Sequence, residues 1–293
     1  MSDSIERIAV LGAGTMGRGI AQLCAERGLS VGLYDVSPEV LQSAQSAVRA
    51  QLERAVQKGK SSAEQRDAAL ARINATTELP SACRDAQLFI EAVPERMELK
   101  IALLDAVKAG APPAALFASN TSSLSITELG RGIREPARTV GLHFFNPPPV
   151  MPLLEIVRGL GTSPEAIERC LAFARQIGKE PIVVNDVPGF ASSRLGVALG
   201  AEAIRMLEAK VASVADIDRA MELGYRHPMG PLKLTDLVGL DVRLAILEHL
   251  QREIGEQFRP PPLLRQMVRA GRLGKKTGLG FYRWTDDGPV AVE

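Results

Sequence analysis

Apolar positions along this chain follow two different rhythms, and the change comes near residue 186. In the first part, short and mostly apolar runs alternate with stretches of helical spacing. Ile8–Leu11, Val31–Tyr34, Leu88–Ala92, Leu116–Ser119 and Val140–His143 have the length and content of strands buried on both faces. Between them, Thr15–Arg27 reads as a helix closed by Gly28, and Pro38–Lys60 as a long helix rich in Ala and Gln. Gly59-Lys60-Ser61-Ser62 reads as a turn into a further helix. Strand–helix alternation of this kind builds a parallel sheet covered on both sides. After Pro181–Val184 and the Pro188-Gly189 break, the spacing becomes helical throughout. Ala191–Ala209 places Leu195, Leu199, Ala203 and Leu207 on one stripe, and Val214–Leu223, Leu234–Ile254 and Leu263–Ala270 follow. The expected organisation is an α/β domain over residues 1–186 and a mostly α-helical domain over 187–293.

Length agrees with two domains, since 293 residues exceed the usual size of one. A net charge of +1 gives no electrostatic case for nucleic acid or an anionic membrane as partner. No apolar run approaches the ~20 residues of a membrane-spanning helix. Ile8–Leu11 is too short for the core of a signal peptide and reads better as a strand. Cys24, Cys83 and Cys170 are odd in number and lack metal-ligand spacing, so neither a disulfide framework nor a metal site is expected. A cytoplasmic protein with reduced thiols fits these facts.

Gly12-Ala13-Gly14-Thr15-Met16-Gly17 sits between a predicted strand and a predicted helix, the context in which G-x-G-x-x-G binds a dinucleotide. Gly12 allows the tight turn, Gly14 lets backbone amides approach a pyrophosphate at the positive end of the helix, and Gly17 permits close helix–strand packing. Asp35 follows the second strand by one residue, where a carboxylate accepts ribose hydroxyls and repels a 2′-phosphate. The first domain is therefore expected to be of Rossmann type, with NAD as cofactor.

In an open parallel sheet, ligands lie beyond the carboxyl ends of the strands. Gly12, Asp35, Asn120–Ser123 and His143 each follow or end such a strand, so they are expected along one edge. After His143 the run Phe144-Phe145-Asn146-Pro147-Pro148-Pro149-Val150-Met151-Pro152 cannot form a crossover helix. The chain must turn back through Leu153–Val157, and position 149 lies midway between His143 and Glu155. A symmetrical turn sets the carboxylate opposite the imidazole, where it would fix the tautomer and stabilise an imidazolium. On spacing alone the pair reads equally as a base with its carboxylate or as a structural histidine near a surface charge.

Six segments then fall in a telling order: G-A-G-T-M-G, S-N-T-S-S-L (Ser119–Leu124), L-H-F-F-N-P, P-G-F (Pro188–Phe190), P-M-G-P (Pro228–Pro231) and G-K-K-T-G-L-G-F-Y (Gly274–Tyr282). Together they resemble the L-3-hydroxyacyl-CoA dehydrogenase family, including 3-hydroxybutyryl-CoA dehydrogenases, over essentially the whole chain. The resemblance implies an NAD-binding N-terminal domain, a homodimer formed through the C-terminal helical domain, and an acyl-CoA substrate received between the domains. It makes His143 the general base, Glu155 its carboxylate partner and Ser122 the group that hydrogen-bonds the reacting oxygen. Asn146 is expected on the substrate side. Glu95, Lys100 and Asn120 resemble the family's contacts near the nicotinamide ribose, although Glu95 and Lys100 also read as a charge pair at a helix start.

One position departs from the pattern. The family usually carries G-F-x-x-N-R, and this chain reads Gly189-Phe190-Ala191-Ser192-Ser193-Arg194, so Ser193 stands where the family has an asparagine beside the substrate. That change keeps open an NAD-dependent dehydrogenase of a non-CoA hydroxy acid or sugar acid, as in gulonate dehydrogenases. A protein that binds NAD without turnover is the remaining alternative, and the set Ser122, His143 and Glu155 argues against it.

Overall fold

The computed structural model describes residues 4–292, in which the chain divides into two compact units, one running as far as Val187 and one beginning at Pro188. In the N-terminal unit, β1 (Arg7–Leu11) turns Ile8 and Val10 to one face and Ala9 and Leu11 to the other, and all four are buried. A strand buried on both faces needs helices on both sides. Ile8 and Val10 join a core with α1 (Thr15–Glu26), α2 (Pro38–Gln57), α3 (Ala63–Ala71) and, further along, α7 (Pro164–Gln176). Ala9 and Leu11 join a second core with α5 (Met97–Lys108) and α6 (Ile126–Gly132).

The sheet is completed by β2 (Ser30–Tyr34), β3 (Ile73–Thr76), β4 (Leu88–Glu91), β5 (Leu116–Ser119), β6 (Thr139–Phe144), β7 (Leu153–Arg158) and β8 (Glu180–Asn185), with a short α4 (Leu79–Cys83) after β3. Its order is β3-β2-β1-β4-β5-β6-β7-β8. Pairings from β3 through β6 are parallel, β7 runs antiparallel to β6, and β8 is parallel to β7. The chain leaves β1 toward β2 on one side and later returns to β4 on the other. That reversal opens a crevice at the carboxyl edge, where doubly wound sheets take their ligands.

Serine caps start many of the helices. Ser37 accepts the Val40 amide before Pro38 opens α2, and Ser62 and Gln65 form a reciprocal capping box on α3, just after the expected Gly59–Ser62 turn. Cys24 and Cys170 are buried and Cys83 half-buried; all three are free thiols of this unit.

The C-terminal unit holds α8 (Ser192–Glu208), α9 (Val214–Gly224), α10 (Pro231–Val238), α11 (Leu240–Glu253), α12 (Pro262–Arg269) and a small hairpin of β9 (Tyr282–Thr285) and β10 (Gly288–Ala291). Two buried acids organise it. Asp218 accepts the amides of Leu232 and Lys233 and the Tyr282 hydroxyl; Asp236 accepts the amides of Phe281 and Tyr282 and the Trp284 indole N–H. Three features depart from the sequence reading. The stretch Leu234–Ile254 is two helices, because Gly239 at φ 106° takes a conformation no helix admits. The short strand β3 and the hairpin β9–β10 were not anticipated. No helix among the described residues is long and apolar enough to cross a membrane.

Candidate active site

The glycine loop leaves β1 with Gly12 at φ 105°, its amide donating to Tyr34 O at 2.7 Å. A Cβ on Gly12 would stand 2.8 Å from Ala92 O, and one on Gly17 would stand 1.8 Å from Gly12 O, so α1 meets β1 closer than any side chain allows. Gly14 is different: a Cβ there would meet nothing within 4 Å. It faces open space at the start of α1, and the helix has neither a side-chain cap nor an acidic residue in its first turn. The first amides of α1 are thus left to an anion. Asp35, just past β2, accepts the Ala13 amide at 2.8 Å and the Ser37 amide at 3.1 Å. Donors for a pyrophosphate and a fixed carboxylate for a ribose stand together, and these residues fit NAD.

Along the same edge, β6 ends in His143. The β6–β7 register pairs His143 with Glu155 directly, and His143 Nδ1 lies 2.6 Å from Glu155 Oε2. Both are buried, His143 being 7% exposed. A carboxylate on Nδ1 holds the proton there and puts the proton-accepting lone pair on Nε2. Phe145 packs against the imidazole, with ring centroids 4.6 Å apart. Asn120, at the end of β5, accepts the Phe144 amide at 3.0 Å through Oδ1 and so ties the loop after β5 to the histidine strand. Asn146 is exposed at the start of the turn, joined to Pro147 by a cis peptide.

The loop after β5 offers a series of hydroxyls, and most are committed. Ser119 donates to Glu91 at 2.6 Å, Thr121 donates to Glu95, and Ser123 donates to Glu95 at 3.3 Å. Glu95 also accepts the Ser122 amide at 3.1 Å. The Ser122 hydroxyl makes no hydrogen bond among the described residues, so a loop built around Glu95 presents this one group for use.

Lys100 stands behind Glu95. It is 1% exposed, and its ammonium donates to Glu91 at 2.8 and 2.9 Å, to Val93 O at 3.3 Å, and pairs with Glu95 at 3.1 Å. Burial pushes the Glu91 carboxyl up despite the ammonium beside it. Burial also opposes ionisation of Glu95, but the Lys100 charge and the donors on the Thr121–Ser123 loop outweigh it and hold that carboxyl below the usual range.

A model of the 3-hydroxyacyl-CoA dehydrogenase NAD-binding domain matches residues 7–187, and a model of the 3-hydroxyacyl-CoA dehydrogenase C-terminal domain matches residues 189–284. The chain belongs to the 3-hydroxyacyl-CoA dehydrogenase family. Among the relatives of this dehydrogenase, the 3-hydroxybutyryl-CoA dehydrogenase of Mycobacterium tuberculosis (strain ATCC 25618 / H37Rv) is 44% identical over 289 residues, which span 97% of this chain and 100% of that one. The mitochondrial hydroxyacyl-coenzyme A dehydrogenase of Sus scrofa is 37% identical over 96% of this chain and 91% of its own. The crystal structure of (S)-3-hydroxybutyryl-CoA dehydrogenase from Ralstonia eutropha superposes with a TM-score of 0.92, at 41% identity over 97% of this chain and 100% of that one. The enzyme is therefore an NAD-dependent 3-hydroxyacyl-CoA dehydrogenase.

Of the residues singled out from the sequence, Gly12, Gly14, Gly17, Asp35, Glu95, Lys100, Asn120, Ser122, His143 and Glu155 line or support the carboxyl edge of one sheet. Ser193 lies in the first turn of α8, in the other unit. Sequence reasoning missed Glu91 and Lys179. Glu91 is the last residue of an apolar strand, and only its buried placement gives it meaning. Lys179, just before β8, is buried and donates to Pro148 O and Met151 O, both at 2.6 Å, across the turn that follows His143. Its position behind a helix reads in sequence as an ordinary surface charge.

Proposed function

We propose that this dehydrogenase interconverts short-chain (S)-3-hydroxyacyl-CoA and 3-ketoacyl-CoA thioesters, with 3-hydroxybutyryl-CoA and acetoacetyl-CoA as the reference pair. The buried 2.6 Å contact between His143 and Glu155 carries this reading. NAD, when bound, supplies the hydride acceptor for C3 of the substrate. The protein's own residues handle the proton. His143 Nε2 accepts the hydroxyl proton during oxidation and returns it during reduction, while Glu155 stabilises the imidazolium. Ser122 donates to the reacting oxygen, a task its uncommitted hydroxyl can take without breaking the loop. Glu95 and Lys100 hold that loop in place, Asp35 receives the adenosine ribose, and Asn120 fixes the approach of β6 to β5.

The names of the relatives, aligned over nearly their whole length, support the short-chain assignment. Exposed Leu195, Leu223 and Tyr225 on the helical unit support a homodimer formed through it. Free thiols agree with a cytoplasmic location.

NADH oxidation by the purified protein with acetoacetyl-CoA, set beside free acetoacetate, tests the reading. Brisk turnover of the thioester with little of the free acid is expected. Turnover of the free acid instead would move the assignment to a hydroxy-acid dehydrogenase.

A further inference from the structure

Asp186, directly after β8, spends its carboxylate on the start of α6. The Ser125 hydroxyl donates to Oδ2 at 2.7 Å, the Thr127 amide to Oδ2 at 2.8 Å and the Ile126 amide to Oδ1 at 3.0 Å. Two of the amides that a helix start leaves without a partner are thus answered from 61 residues further along the chain. Ser125 already caps α6 from within, accepting the Glu128 amide at 3.1 Å. That local cap moves with its own helix, whereas a carboxylate from another element fixes where the helix stands. Asp186 is itself held, its amide donating to Arg158 O at 2.9 Å at the end of β7. The Thr127 hydroxyl accepts the Leu160 amide at 3.0 Å, so the ends of β7 and β8 together pin the first turn of α6.

The segment that runs into this anchor carries Ser122. Its far end is tied as well, Asn120 accepting the Phe144 amide at 3.0 Å. Between the two ties, the Thr121 hydroxyl oxygen accepts the amides of Ser123 and Leu124 at 3.2 and 2.8 Å and curls the chain around Ser122. Glu95 holds that curl from one side through the Ser122 amide and the hydroxyls of Thr121 and Ser123. Asp186 is the fixed point on the other side.

We propose that Asp186 is a positioning residue for the reaction: by holding the α6 end of this segment it sets where the Ser122 hydroxyl stands. The proposal rests on the reading above in which Ser122 donates to the reacting oxygen. A displacement of about 1 Å in a reacting geometry can cost ~10²-fold in rate, so a donor on a loop needs both ends of the loop held.

The experiment is a double-mutant cycle on Ser122→Ala and Asp186→Ala, read as kcat for acetoacetyl-CoA reduction by NADH. Ser122→Ala should lower kcat by about 100-fold, as loss of one well-placed donor does. Asp186→Ala, with Ser122 present, should lower it by roughly 10-fold. In the Ser122→Ala background the same change should cost less than about 2-fold, because the group it positions is gone. Equal losses in both backgrounds, which a general loosening of the fold would give, overturn the proposal. Wild-type kcat in a folded Asp186→Ala also overturns it. NADH binding, followed by cofactor fluorescence, certifies the fold of each variant. Asp186→Asn keeps the shape and one acceptor oxygen; it should retain more of kcat than the alanine variant, and it runs the same cycle if that variant fails to fold. Full kcat in Ser122→Ala would instead overturn the reading of Ser122, and the proposal with it.

Discussion

At the scale of single residues, the proposed chemistry rests on His143 and Glu155, paired at 2.6 Å. Replacing His143 by Ala removes the proposed base and should lower kcat for acetoacetyl-CoA reduction by roughly 10²–10⁴-fold. NADH binding, followed by cofactor fluorescence, should persist, because the glycine loop and Asp35 follow β1 and β2, while the imidazole stands on β6. Near-full activity in the variant would remove His143 from the mechanism. The pairing of these two residues was legible in the sequence, since a proline run forbids a crossover helix and a turn centred on Pro149 leaves one partner for position 143. Glu91 was not legible. Its meaning depends on Lys100 reaching back nine residues under a sheet edge, and on Ser119 from the next strand. Asp186 was hidden for another reason: beside the Pro188-Gly189 break it reads as a boundary residue, and only tertiary packing sets it against the start of α6.

Among the elements, the turn between β6 and β7 is held from behind. Pro148 packs against α1, where a Cβ on Gly19 would come within 2.8 Å of the proline ring, and Lys179 ties down two carbonyls of the same turn. Burial first, then the nearby Arg27 charge, draw the Lys179 pKa down, yet the carbonyl dipoles keep the ammonium in place. Lys179→Met leaves Pro148 O and Met151 O without a donor, at a cost of about 1–3 kcal/mol for each group that stays dry. Urea unfolding should report that loss, and kcat should fall as the segment after His143 loosens. Wild-type stability in the variant would show that the lysine carries no structural duty. Strands β1, β2, β4, β5 and β6 could be read from their apolar runs, but the short β3 and the break at Gly239 could not, the latter because the apolar spacing continues across it. The β9–β10 hairpin escaped notice because its residues are short of apolar alternation and owe their position to Asp236.

At the scale of the whole molecule, each unit has its own hydrophobic core. The helical unit leaves Leu195, Leu223 and Tyr225 more than 70% exposed, along with Val211 at 61%. Light scattering at micromolar concentration should give a mass near twice the 31.4 kDa of one chain. A monomer mass would leave those side chains in water and remove the dimer from the functional reading. The change of apolar rhythm near residue 186 was visible in the sequence, whereas a surface for the proposed dimer has no periodic signature. The placement of the thiols gives the molecule a built-in clock. Cys24, Cys83 and Cys170 all belong to the dinucleotide unit, and burial raises each far above the ordinary thiol range, Cys83 and Cys170 to about 12. Alkylating reagents should ignore the wholly buried Cys24 and Cys170 until the sheet and its helices part, so their rate of labelling times the opening of that unit alone. Added NADH should slow the clock as its concentration rises above its Kd, by the factor that linkage to the folded unit sets, which turns two silent sulfurs into a cofactor assay that needs no substrate.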